Sequence, residues 1–100
     1  MKERVLAVLL QHRGSNNAIQ SHVIGSEARV YDVDPTSYKV RACIRELIDE
    51  GVPIGSGPDG YYIMETQAEL QHNIASLSSR ITSMTRRRDN MIRAFNEFEA

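Results

Sequence analysis

Three histidines, one cysteine and a few paired carboxylates are the residues of this chain best equipped for catalysis or metal binding, and their spacing argues against both. His12, His22 and His72 fall in three different predicted helices without the short intervals that metal ligands require. Cys43 has no histidine near it in sequence to act as a base. The acidic pairs Asp32/Asp34 and Asp49/Glu50 sit near predicted helix ends, where turns and caps account for them. The stretch GVPIGSGPDGYYI, residues 51–63, suggests a phosphate-binding loop. Gly55 and Gly57 lack a third glycine at the right offset, no Gly-Lys-Ser/Thr follows, and the next run favours a strand over a helix. The expectation is therefore a non-enzyme, with no cofactor and no metal site.

Composition sets further limits. With 41% hydrophobic and 25% charged residues over 100 positions, the chain has the make-up of one folded domain, not of a disordered segment. The lone cysteine cannot form an internal disulfide, and the apolar run from Val5 to Leu10 is too short, and too close to Lys2, Glu3 and Arg4, for a membrane span or an export signal. A cytoplasmic protein without membrane contact is expected. A net charge of −1 provides no global cationic field, so any polyanion must be held by local patches.

The elements follow from pattern. Val5, Leu6, Leu9 and Leu10 form an apolar stripe on a first helix over 2–12, closed by Gly14. Residues 18–20 read as a short strand. Ser21 caps a second helix to about 29 that buries Ile24 and Ala28. Asp34-Pro35 is a start signal for a third helix, whose stripe of Val40, Ile44, Leu47 and Ile48 runs to Glu50 and a terminating Gly51. A hairpin follows, with Pro53 confining its strand to an edge and a five-residue turn over 56–60. Its Tyr61 and Ile63 face the core, and Tyr62 and Met64 face away. Thr66 and Glu69 match the capping box. From there to Phe98 no glycine or proline interrupts a helix about 45 to 50 Å long.

Helix, short strand, helix, helix, hairpin is the order of a winged helix-turn-helix domain. The segment VRACIRELIDEGVPIGSGPDGYYI, residues 40–63, resembles the recognition helix and wing of bacterial domains of the biotin operon repressor type. It is more similar still to small phage-encoded winged-helix proteins, which also carry a segment like NAIQSHVI, residues 17–24, and a heptad-patterned C-terminal helix. The expected fold is mainly α with a small β-hairpin: a winged domain over 1–65, then a coiled-coil helix over 66–100. The resemblance implies double-stranded DNA as partner, with the third helix in the major groove presenting Thr36, Ser37, Tyr38, Lys39, Arg41 and Arg45. The implied role is regulation of transcription, replication or recombination.

Charge pulls the other way. Residues 1–65 hold seven Lys/Arg against nine Asp/Glu, a net −2, and the wing carries Asp59 where a DNA-binding wing usually offers a cation. The alternative expectation is an adaptor that uses the same fold to dock a protein.

The last helix makes a separate statement. Leu70, Ile74, Leu77, Ile81, Met84, Met91, Phe95 and Phe98 alternate spacings of four and three, with Arg88 as the one polar break. Ile74 and Ile81 share one heptad position and Leu70 and Leu77 the other, a combination that favours two parallel strands, so a homodimer or higher homo-oligomer is expected. Gln71, Asn73, Ser78 and Thr85 beside the seam hold little charge and leave orientation unspecified. Arg86, Arg87 and Arg88 point in three directions around a helix and read as solvated.

Overall fold

The computed structural model of the chain describes residues 1–30 and 37–98. It contains α1 (Lys2–Leu9), a 3-10 turn (Ser15–Asn17), α2 (Ser21–Glu27), α3 (Tyr38–Asp49), β1 (Ile54–Gly57), β2 (Gly60–Ile63) and α4 (Gln67–Phe98). This is the mainly helical architecture expected, with an antiparallel hairpin and a long C-terminal helix. Two compact units divide it, Met1–Leu70 and Gln71–Ala100. The Asp34-Pro35 start signal lies outside the described residues.

In the first unit, one core joins α1, α2, α3 and the hairpin. Val5, Leu9, Ile24 and Val40 are its largest fully buried side chains. The buried stripes are one position narrower than apolar spacing predicts. Leu10 and Ile48 are each 46% exposed, while Val8 is buried. A helix turns about 100° per residue, so Ile48 points well away from Leu47 and Leu10 from Leu9. Cys43 lies in the core, and burial pushes its thiol above the ordinary range.

Both inner helices end in the same way. Gly51, at φ 104, follows α3, with Gly51 N–H donating to Ile48 O and Val52 N–H to Leu47 O. This is the Schellman arrangement, and Val52 packs against the core beside it. At the end of α2 the same pair of bonds runs from Arg29 N–H to Ser26 O and from Val30 N–H to Gly25 O. There the left-handed residue is Arg29, at φ 56, where a glycine is the usual choice.

The hairpin is tighter than expected. Gly57 pairs with Gly60, so the loop is the two residues Pro58 and Asp59, not five. Proline suits the second position of such a turn and glycine the fourth. β2 is also flanked on its other side. Ile19 and Tyr61 exchange both backbone bonds at 2.8 Å, Ile63 N–H donates to His12 O, and Gly14 N–H donates to Ile63 O. The expected short strand at 18–20 is thus a single bridge at Ile19. That close pairing explains Gly60, where a Cβ would come 2.3 Å from Ile19 O. The faces of the strand are those expected, Ile63 in the core with the half-buried Tyr61 packed against it, but Tyr62 on the other face is buried as well without joining that core. Tyr62 lies opposite Gly55, a buried partner with no side chain to compete for the space.

The start of α4 is held by Glu69. Its N–H donates to Thr66 Oγ1 at 3.1 Å, and its carboxylate accepts Thr66 N–H at 3.2 Å, completing the capping box. The same carboxylate takes Glu65 N–H at 2.7 Å and, from 54 residues away, Ser15 N–H at 2.6 Å. Arg13 Nε donates to Glu65 Oε1 at 2.9 Å beside it. Bonds from the Glu65 and Ser15 backbone stabilise the charged form, so the Glu69 carboxyl is held down at about 2.

Candidate nucleic-acid interface

α3 buries Val40, Cys43, Ile44 and Leu47 and turns its other side outward. Three and seven residues apart, Tyr38, Arg41 and Arg45 share that outer face, with Lys39 on its flank. Tyr38 is 58% exposed, Lys39 and Arg45 are exposed and Arg41 is half-buried. These four form one surface over the first eight residues of the helix.

The other two expected contacts differ. Thr36 lies outside the described residues. Ser37 is buried, at 8% exposure, and left-handed, at φ 58. It occupies the position before the helix, and its side chain makes no capping bond. A residue spent on the chain's entry into the helix cannot also present a hydroxyl to a phosphate.

Charge along α3 is sorted by sign. Lys39, Arg41 and Arg45 occupy its first eight positions, and Glu46, Asp49 and the following Glu50 its end. The first turn holds no acid and the last turn no base. A helix prefers the reverse order, each well-placed terminal charge contributing about 0.3–1 kcal/mol. The order therefore works against the stability of α3. At the far end Lys2 offsets part of the effect through an ion pair with Glu50. Among the described residues no ion pair engages Arg41 or Arg45. The sorting is open to view in the sequence; the missed signal is its opposition to the helix dipole.

The wing tip carries an exposed Pro58 and Asp59 and no cation. Among the described residues no group of His, Cys, Asp and Glu is placed to hold a metal, and no helix is long and apolar enough to cross a membrane. His12 is occupied structurally, its Nδ1 2.8 Å from Asn17 O.

α4 exposes its whole seam. Leu70 is 38% exposed, Ile81 64% and Phe98 86%, and the helix has no buried residue. Ile92, 55% exposed, adds an apolar side chain beside Met91 that lies outside the heptad pattern. Arg88 donates to Asp89 Oδ1 from Nε at 3.1 Å and from Nη2 at 2.9 Å.

No family model, curated protein or solved structure matches the chain.

Proposed function

We propose that the chain is a winged-helix DNA-binding protein, dimeric through α4, that regulates transcription, replication or recombination without catalysing a reaction. The observation that carries this reading is the sorted charge of α3. Lys39 and Arg41 in the first turn of α3 oppose its dipole, so their placement has a use other than stability. A phosphate supplies one: it is attracted both by the helix N-terminus and by the side chains around it. Arg41 and Arg45 have the fork that reads guanine, Lys39 suits a phosphate, and Tyr38 is an exposed ring on the same face. The net −2 of residues 1–65 makes a single copy a weak binder, and pairing two copies raises the avidity.

Anisotropy of a labelled duplex against protein, at several salt concentrations, tests the reading. Binding should weaken as salt rises, and Lys39→Ala should reduce the log–log salt slope by about 1. Arg45→Ala should weaken binding more than Arg93→Ala on α4. Absence of binding at low salt rejects the proposal.

A second reading, a protein-docking adaptor, draws on the exposed acid at the wing tip. Asp59→Lys separates the two: a wing that touches the backbone binds duplex more tightly once its tip is cationic, whereas an adaptor gains nothing.

A further inference from the structure

The seam of α4 decides more than whether two copies pair; it also bears on which way they run. We infer that α4 pairs with α4 of a second copy in an antiparallel arrangement, over its full length, with Arg88 of each copy facing Leu77 of the other. This rests on the dimeric reading above and adds orientation and register to it.

Like charge is the first ground. In a parallel, in-register pair, residues at the same heptad position face one another, which sets Arg88 against Arg88 in the middle of the seam. Arg87 adjoins each of them, and the nearest acid, Asp89, is a single charge already bonded to its own Arg88. The two side chains would leave the seam from the same layer, side by side, holding like charge at close range even where their heads reach the rim. The antiparallel arrangement removes that meeting.

Self-complementarity is the second ground. Reversing one helix so that Ile81 faces Met84 of the other copy brings every other seam residue into a layer as well, except Phe98, which meets Gln67 at the end. Leu70 meets Phe95, Ile74 meets Met91 and Leu77 meets Arg88, each layer joining one heptad position to the other. The layers repeat symmetrically from both ends, so the pair closes on itself as a two-fold dimer requires. Each Arg88 then lies along a leucine, over which its methylenes can pack while the charged head reaches the rim. Like charge survives only at that rim, between Arg80 and Arg87 of the second copy, where solvent and salt screen it.

Linkage chemistry reads the orientation directly. In a Cys43→Ala background, Leu70→Cys and Phe95→Cys proteins are mixed, oxidised and resolved by mass. The expected result is the mixed disulfide, with little Leu70→Cys self-linkage, because antiparallel pairing separates the two copies of residue 70 by about 37 Å. Efficient Leu70→Cys self-linkage at dimer mass overturns the orientation while leaving the dimer intact. A dimer that yields neither product overturns the register. Sedimentation of the unmodified chain as a monomer overturns the dimeric reading and this inference together.

Leu77→Glu gives an independent test at an exposed position. Antiparallel pairing sets each new carboxylate against Arg88 of the other copy, so the dimer should persist, and adding Arg88→Leu should then dissociate it. Parallel pairing sets the two new carboxylates against each other, and dissociation by the single change would contradict the inference.

Discussion

α3 and α4 carry apolar stripes of the same spacing, and they meet opposite fates. Val40, Ile44 and Leu47 are 1%, 3% and 3% exposed, whereas Ile74, Leu77 and Ile81 are 46%, 53% and 64% exposed. The difference does not lie in helical periodicity or in the hydrophobicity of single residues. It lies in supply: α1, α2 and the hairpin cover α3 within one unit, whereas residues 71–98 form a single helix with no second element of its own unit to pack against. Periodicity thus reports that a face wants burial and says nothing about what buries it. The faces opposite the stripes differ too. α3 sorts its charges by sign against its own dipole, while Arg80, Arg86, Arg87 and Arg93 of α4 are spread around the helix.

Truncating one leucine in each stripe is the sharpest way to break the comparison. Leu47→Ala should lower the unfolding free energy by about 2–5 kcal/mol, as expected for a cavity in a closed core. Leu77→Ala should leave the denaturation midpoint of a dilute sample nearly unchanged and appear only where protein concentration is varied, as a weaker association. Chemical denaturation at two protein concentrations measures both. A large, concentration-independent loss from Leu77→Ala would mean that the two stripes are buried alike.

A smaller effect is expected at Gly60, where the hairpin meets Ile19. Its φ of 119° alone makes Gly60→Ala cost about 1–3 kcal/mol, and the Cβ contact with Ile19 O must also be relieved by moving backbone. Thermal unfolding reads the loss.

The sequence makes the repeated and local features legible. The helices follow from apolar spacing, the stop at Gly51 from its freedom at positive φ, and the start of α4 from Thr66 and Glu69. Contacts between distant segments are not legible in this way. Nothing in the spelling of Ser15 or Glu69 says that one donates to the other across 54 residues. The burial of Tyr62, on the face away from the core, likewise depends on the empty side of Gly55 opposite it, a product of assembly. For the candidate interface, Tyr38, Lys39, Arg41 and Arg45 are readable from helical phase, whereas the burial of Ser37 follows from a left-handed backbone at a residue type that carries no such signal.

Acid separates the fold's local and distant ties. The Glu69 carboxyl titrates near 2 in the folded chain against about 4.5 when free, so its contribution is complete above pH 4.5 and is lost as pH falls toward 2. The unfolded chain binds the proton first, which fixes the sign: stability declines with acid in that window. Glu69→Gln should be less stable at neutral pH and should lose less between pH 4.5 and 2. Urea unfolding followed through that range tests this, and parallel curves for the two proteins would remove Glu69 as the source.

The smallest expected effect is a gain. α2 and α3 end in the same pair of backbone bonds, but α3 uses glycine for the left-handed residue and α2 uses Arg29. A residue with a Cβ is strained there, and the Arg29 side chain is exposed, so replacement forfeits no core contact. Glycine relieves the strain but adds freedom to the unfolded chain, which offsets part of the benefit. Arg29→Gly should therefore raise the unfolding free energy by about 0.5–1 kcal/mol. Arg29→Ala keeps the Cβ and separates the two causes: it should give no such gain, because it removes the guanidinium without relieving the backbone. If the alanine and glycine variants stabilise equally, the left-handed conformation is not what burdens the end of α2.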